Sequence, residues 1–354
     1  MFSYSSIKTN PESGNMYRNF YYQDILKLLH EKSKEAETVR SMFLSPQKLV
    51  KDREKYREKY IKMLGWPLTE YTHEYHPHFE KELVEELSFL KIFRLAVETL
   101  PGLWFRGIIF EPVKHSENPP LVILNPGGGY RVEDMIRHGE YESLQYKNIG
   151  GRFLEEGAIV YAPQFLLWND EEHDIEQPRT RQMINAKLKA LGGSIAALEI
   201  YNVKRSIDYF LTKESIDTER IGMAGLSYGG FYALYISAAD QRIKSTFASC
   251  FFSDRLSDVP GASRSDWTWN DSAKMFLDAE VAALIAPRAL YIENGVKDSL
   301  FPYDIAEKEF PRLKSFYEAS EAVEKLLFFK SEGAHEVSPT DIGFEFFIRN
   351  LSVS

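Results

Sequence analysis

The chain contains one cysteine, Cys250, in 354 residues. No internal disulfide can form, which suits a reducing compartment. Cys250 lies in the apolar run Thr246-Phe247-Ala248-Ser249-Cys250-Phe251-Phe252, where a buried structural thiol is expected rather than a nucleophile. Basic charge is also in deficit: 43 Lys and Arg face 52 Asp and Glu, giving a net charge of −9 and a pI near 5.5. With no positive field to gather phosphates, neither a nucleic acid nor an anionic membrane surface is an expected partner. Long apolar runs are missing too. The opening MFSYSSIKTNPESGNMYRNF has no apolar core of signal-peptide length, and no later run approaches a membrane span. The expectation is a cytoplasmic protein.

What remains is ordinary for a soluble globular chain, at 44% hydrophobic and 27% charged. Its length permits one large α/β domain with an extension, or two domains. The 20 Tyr and 24 Phe exceed what a core strictly needs. Core packing accounts for most of them, and a pocket lining for some.

The stretch from Asp217 to Asp240 organises the rest. Its centre, Gly225-Leu226-Ser227-Tyr228-Gly229, is a G-x-S-x-G sequence between a short apolar run, Ile221 to Ala224, and a helix-like run, Phe231 to Ala239. A strand that turns sharply into a helix would hold Ser227 exposed on a strained turn, beside helix amides that favour negative charge. Gly225 and Gly229 stand where side chains would collide, and Gly230 lets the helix start pack closely. A bare G-x-S-x-G is also a common plain turn, so the context has to carry the argument.

That context is an alternation of strand-like and helix-like segments. Residues 1–16 are polar, and from Tyr17 to about Leu64 the pattern is helical. Ile25, Leu28 and Leu29 mark one apolar face, and Val50, Tyr56, Tyr60 and Leu64 another, with Gly65 and Pro67 ending the run. This gives an N-terminal helical extension, residues 1–84, suited to a homodimer contact or to covering an active-site mouth. His73, His76 and His78 raise a metal site, but Pro77 breaks any helix that could align them and no cysteine accompanies them, so a polar loop is expected. Beyond Glu86, Leu87 to Thr99 and Leu103 to Glu111 read as a hairpin around Pro101-Gly102. Leu121 to Asn125 and Gly157 to Pro163 are buried strands. Residues 164–193 form a long polar connection, followed by an amphipathic helix over Ser194 to Leu211. Ile243 to Phe252, Ala289 to Glu293 and Leu326 to Phe329 complete the strands. Pro302 to Tyr317 is helical with an interruption at Pro311, and a last helix spans Asp341 to Asn350. The fold class is α/β, a mostly parallel central sheet with helices on both faces, over residues 85–354.

A serine hydroxyl needs a base within reach, and that base needs a carboxylate to fix its tautomer. On one sheet edge the sequence offers Ser227 after one strand, Asp298 after the penultimate strand and His335 after the last. Glu293, Asp254 and Asp258 compete with Asp298, and Glu293 reads as structural. The strand ending at Asn125 runs into Pro126-Gly127-Gly128-Gly129-Tyr130, a loop that lacks the lysine of a phosphate-binding P-loop and the spacing of a dinucleotide site. Its Gly127 and Gly128 amides, with the amide of Tyr228, are candidates for an oxyanion hole. Tyr130, Trp168, Trp267 and Trp269 lie on loops near that edge, suited to stacking on a sugar ring or equally to packing against one another.

The chain resembles the acetyl-xylan-esterase-like and dienelactone-hydrolase-like branch of the α/β hydrolases, related to the prolyl oligopeptidases. The match rests on residues 196–209, Asp217-Thr218-Glu219-Arg220-Ile221-Gly222, Gly225 to Gly230, the run Ile285 to Asp298, and Gly333-Ala334-His335-Glu336. It covers roughly residues 85–350. The resemblance implies an α/β-hydrolase fold and a triad of Ser227, Asp298 and His335. The loop Asn125 to Gly129 departs from the His-Gly that many hydrolases carry there. Dienelactone hydrolases proper use a cysteine nucleophile, and Ser227 argues against that chemistry. The expected activity is hydrolysis of a small-molecule carboxylic ester with a small acyl group, acetylated carbohydrate being a candidate substrate, with no metal or organic cofactor. Two rival readings are a prolyl-oligopeptidase-like peptidase, for which no propeller repeat is present, and a non-catalytic binding protein on the same scaffold.

Overall fold

The structure, a computed structural model, describes residues 11–136, 144–167, 177–262 and 264–352. Nine strands form one sheet in the order β1-β2-β3-β5-β4-β6-β7-β8-β9. They are β1 (Phe79–Glu86), β2 (Leu90–Leu100), β3 (Leu103–Pro112), β4 (Leu121–Asn125), β5 (Ile159–Pro163), β6 (Ile221–Leu226), β7 (Ile243–Ser249), β8 (Ala289–Gly295) and β9 (Leu326–Ser331). β1 to β3 form an antiparallel meander that joins β5 antiparallel, and from β5 through β9 every pairing is parallel. The helices are α1 (Pro11–Phe43), α2 (Pro46–Leu64), α3 (Ile149–Glu155), α4 (Gln177–Ala190), α5 (Ile195–Lys213), α6 (Tyr228–Ala239), α7 (Ser272–Met275), α8 (Asp278–Ala283), α9 (Tyr303–Ala319) and α10 (Ile342–Ser352).

The continuous apolar runs are strands covered on both faces. In β4, Leu121 and Ile123 join the core under α2, α5, α6, α8 and α9, while Val122 and Leu124 join the core under α3 and α10. The period of two along the strand thus feeds two separate cores. α5 begins at Ser194, whose hydroxyl accepts the Ala197 amide at 3.1 Å, and it buries Ala196, Ile200, Val203, Ile207 and Phe210.

Several boundaries differ from the sequence reading. Strand structure starts at Phe79, so the division at residues 84/85 falls inside β1. The segment Phe79-Glu80-Lys81-Glu82-Leu83-Val84-Glu85-Glu86 is exposed along nearly its whole length, so it lacks the alternation that would have marked a strand. α1 starts at Pro11, within the polar stretch ahead of the expected helical pattern, and α9 is helical on both sides of Pro311, whose fixed φ suits a helix at the loss of one hydrogen bond.

The N-terminal extension divides in two. α2 belongs to the main core through Leu49, Tyr56, Tyr60 and Leu64, although Val50 faces solvent. The Tyr60 hydroxyl donates to the Tyr235 carbonyl on α6 at 3.0 Å, and Arg57 donates to the Leu284 carbonyl at 3.2 Å and to that of Ala238. Among the described residues α1 meets the body near its end, where buried Arg40 pairs with Glu280 at 3.2 Å. Of the apolar face expected from Ile25, Leu28 and Leu29, Ile25 is half-buried while Leu28 is 57% and Leu29 55% exposed. Among the described residues no helix is long and apolar enough to cross a membrane.

This division predicts opposite mutational responses. Tyr60→Ala opens a cavity in the main core and is expected to cost about 3–5 kcal/mol in urea unfolding. Leu28→Ala, on the exposed arm, is expected to change the same measurement by under about 0.5 kcal/mol.

Candidate active site

β6 is buried throughout and ends at Leu226; the next residue, Ser227, has φ 60° and ψ −119°, and α6 starts at Tyr228. A serine at positive φ is a strained backbone position of the kind held at functional sites. The strain is maintained from both sides. The Ser227 amide donates to the Ser249 carbonyl on β7 at 2.9 Å, and its carbonyl accepts the Phe231 amide at 2.9 Å. A Cβ on Gly229 would stand 2.1 Å from the Asn125 carbonyl oxygen, and one on Gly225 would stand 2.3 Å from the Gly229 backbone. The G-x-S-x-G spacing is thus imposed by the approach of α6 to β4 and β6. The Ser227 side chain remains partly exposed at the C-terminal edge of the sheet.

Two strands along, Asp298 lies 3% exposed on the turn after β8. Its Oδ1 accepts the amides of Leu300 at 2.8 Å and Phe301 at 3.0 Å. Its Oδ2 accepts Nδ1–H of His335, on the loop after β9, at 2.8 Å. Placing the proton on Nδ1 leaves Nε2 of a neutral ring as the free base. The imidazole also stacks on Phe301, with ring centroids 5.8 Å apart and planes 21° apart. Burial would raise the Asp298 carboxyl, but the His335 hydrogen bond and charge, with the Phe301 and Leu300 amides, hold it below its ordinary value. Asp298 is therefore the acid that meets the histidine. Glu293 instead accepts the Ser338 amide at 2.9 Å, and Asp254 accepts the Leu256 amide at 2.8 Å.

The glycine loop after β4 sits against the same edge. Asn125 is fully buried; its Nδ2 donates to the Ala224 carbonyl at 3.0 Å, and its own carbonyl accepts the Tyr146 hydroxyl at 3.0 Å. Burial pushes the Tyr146 phenol well up, while the amides of Gly127 and Leu226 face its oxygen and oppose the shift. Gly127 and Gly128 are the two predicted loop donors, and a Cβ on Gly127 would lie 3.1 Å from the Leu226 carbonyl oxygen. A Cβ on Gly128 would lie 3.0 Å from the Tyr228 ring, which sets this amide beside the start of α6.

Of the four aromatic candidates, Tyr130 follows this loop, packs edge-on against Tyr146 at 5.5 Å, and with Pro126 borders a cavity of about 1150 Å³. Trp104, Phe105, Phe165 and Leu167 supply apolar wall to that cavity, and Arg94 and Arg106 supply charge. Trp267 is 4% exposed and packs between Tyr228 (4.7 Å) and Phe251 (5.2 Å), with Phe301 at 6.4 Å. It bridges the neighbours of Ser227 and His335. Trp269 corrects the expectation, because its ring stacks on Tyr235 and its indole donates to the Ser194 hydroxyl at 3.2 Å, inside the packing of α5 and α6. Trp168 lies outside the described residues.

A polar cluster behind the elbow had no signature in the sequence. Arg181 on α4, 1% exposed, donates to Asp266 at 2.7 Å, to Glu199 on α5 at 2.9 Å and to the Tyr232 hydroxyl at 2.7 Å. Asp266 also accepts the Tyr228 hydroxyl at 2.6 Å. Burial disfavours the Arg181 charge, but the two carboxylates more than offset it. Four segments far apart in sequence thereby fix the ring of the residue after Ser227.

Cys250, Asp298 and His335 are the one group of three potential metal ligands that converges among the described residues, with ligand atoms within 4.8 Å of one another. Burial, with the charges of Asp298 and Glu293, pushes the Cys250 thiol well above its ordinary value, and His335 Nδ1 is engaged by Asp298, so the set is poorly suited to a cation. His73 packs edge-on against Tyr71 at 5.3 Å, in the loop before β1.

No protein-family model matches the chain. A Bacillus subtilis (strain 168) protein named "Putative hydrolase YtaP" is 29% identical over 235 residues, 64% of this chain and 76% of that protein. A glucuronoyl esterase from Solibacter usitatus superposes with a TM-score of 0.65 at 12% identity, covering 88% of this chain and 95% of its own. Acetyl xylan esterase 1 from Thermoanaerobacterium sp. JW/SL YS485 superposes with a TM-score of 0.54 at 15% identity, covering 88% and 99%. At such identities the likeness to these two structures is one of fold.

The lowered Asp298 carboxyl gives a stability prediction with a definite sign. A group whose folded-state pKa is depressed contributes stability above its unfolded value, ordinarily 3.8, and loses it as pH falls through the folded value. Asp298→Asn is therefore expected to lower Tm at pH 7, with the gap to wild type narrowing below about pH 4 in a thermal-melt series.

Proposed function

We propose that this chain, which has the α/β-hydrolase fold, is a serine carboxylic-ester hydrolase acting on small acyl groups. The observation that carries the reading is the Asp298–His335 hydrogen bond of 2.8 Å, formed on the sheet edge that also presents Ser227 at φ 60°. In this reading Ser227 Oγ attacks the ester carbonyl carbon while His335 Nε2 accepts its proton. The tetrahedral oxyanion is held by the amides of Tyr228 and the Gly127–Gly128 loop, and collapse releases the alcohol, protonated by His335. Water then enters by the same path in reverse, and the acid leaves. Asp298 keeps the imidazole in the tautomer with Nε2 free and balances the charge of the imidazolium. All of these roles are filled by groups of the chain itself.

The acetyl preference and an acetylated-carbohydrate substrate draw on the named activities of the structural relatives, one of them an acetyl xylan esterase. Tyr130, partly exposed on the wall of the cavity, is the aromatic candidate open to a substrate ring, whereas Trp267 is buried between the neighbours of Ser227 and His335.

The test is turnover of p-nitrophenyl acetate against the butyrate-to-octanoate series. Acetate is expected to be hydrolysed fastest, and Ser227→Ala is expected to reduce kcat by at least about 1000-fold. Undiminished turnover in the variant would sink the proposal, and dominant cleavage of a proline aryl amide would move it to the peptidase class.

A further inference from the structure

All seven residues of β8 are buried, and among them Glu293 carries a carboxyl group with 0% exposure. Its hydrogen bonds come from neutral donors. The Tyr291 hydroxyl donates to Oε2 at 2.6 Å and the Ser338 amide to Oε1 at 2.9 Å, with the Ser249 hydroxyl beside them. Burial pushes this carboxyl above its ordinary range and the donors only partly offset the shift. Burying an acid without a cation is costly, and a position that needed only volume would be served better by a hydrocarbon. The carboxyl must therefore do something that a hydrocarbon cannot.

The histidine loop shows what that is. The segment Glu293–Asp298 holds the loop at three points. The Lys297 amide donates to the Gly333 carbonyl at 3.0 Å, ahead of His335. Asp298 takes the imidazole itself at 2.8 Å. Glu293 takes the Ser338 amide, three residues beyond. The Val337 amide also has a partner, the Gln145 carbonyl at 2.8 Å, but Gln145 belongs to the separate short turn Leu144–Tyr146. Glu293 is thus where the exit of the histidine loop is tied to the strand that carries Asp298. The same residue reaches the nucleophile's side, because its carbonyl accepts the Cys250 amide at 2.8 Å, next to Ser249, whose carbonyl holds the Ser227 amide.

We propose that Glu293 is a positioning residue for His335: by anchoring the Ser338 amide it fixes the exit of the histidine loop, so that Nδ1 meets Asp298 and Nε2 is aimed toward Ser227. Glu293 touches no reacting atom and acts through the loop alone. The kinetic consequence rests on the esterase reading, whereas the geometric one does not.

Two substitutions separate anchoring from space filling. Glu293→Leu keeps the volume and removes the acceptor, whereas Glu293→Gln keeps an acceptor for the Ser338 amide. Each is purified as the full chain, checked for folding by circular dichroism, and measured in two ways. The first is the low-field proton resonance of His335 Nδ1–H, which needs no activity. The second is kcat and KM on p-nitrophenyl acetate. Glu293→Leu is expected to lose the low-field resonance and to lower kcat about 10–100-fold, with KM within about twofold. Glu293→Gln is expected to keep the resonance and to recover most of kcat. A folded Leu variant with wild-type resonance and wild-type kcat would overturn the proposal. Should the Leu variant not fold, Glu293→Asp, too short to reach Ser338, decides by the same two readouts. Absence of ester turnover in the wild type would defeat the esterase reading and leave the resonance to decide the role of Glu293.

Discussion

The site depends on a backbone contact. α6 approaches β4 so closely that a single methyl group on Gly229 would stand 2.1 Å from the Asn125 carbonyl oxygen. That approach forces the chain to leave β6 through a residue at positive φ, and the residue is Ser227. From it follow the exposure of the hydroxyl at the sheet edge, the placement of the Tyr228 amide at a helix N-terminus, and the seating of the glycine loop against the Tyr228 ring. The contact is held in place by parallel strands in register, since Asn125, Gly225 and Ala248 form one row across β4, β6 and β7.

The molecule also buries ion pairs. Arg181 with Glu199 and Asp266, and Arg255 with Asp278, are ion pairs shielded almost wholly from water. Such pairs add little net stability, but losing one partner is costly, about 3–5 kcal/mol, so each pair enforces one arrangement of the segments it joins. Arg181 joins α4 to α5, to the loop at Asp266 and to Tyr232 of α6; Arg255 joins the loop after β7 to α8. Long irregular loops border this sheet edge, and these pairs give them fixed anchors. The N-terminal helix is treated differently, since most of α1 projects from the body with Tyr17, Phe20 and Tyr21 exposed.

The elements of the sheet and the order of the site residues were legible in the sequence because both are local. Continuous apolar runs flanked by glycine, proline and acidic turns mark strands buried on two faces, and β4, β6, β7 and β8 lie close to where the pattern places them. Ser227, Asp298 and His335 were singled out in the sequence because each follows such a run. β1 was missed because it is an exposed edge strand rich in Glu and Lys, whose pairing with β2 depends on its neighbour and not on its own apolar period.

Other features were settled only by the folded chain. The sequence contains Glu293, Asp254, Asp258 and Asp298 as acids near one edge, and only the turn geometry after β8 selects Asp298 as the partner of His335. Trp267 and Trp269 look alike in the sequence, yet one bridges Tyr228 and Phe301 while the other is committed to Tyr235 and Ser194. Arg181 carries no motif, and nothing in the stretch 196–209 shows that Glu199 would meet it. By itself the sequence determined the strand–turn–helix at Ser227 and the chain order of the three site residues, since turn chemistry and hydrophobic period act over a few neighbours. Which acid meets the histidine, which tryptophan packs beside Tyr228 and Phe301 and which ions are buried were decided by tertiary structure, because those choices depend on distances of a few ångströms between segments tens of residues apart.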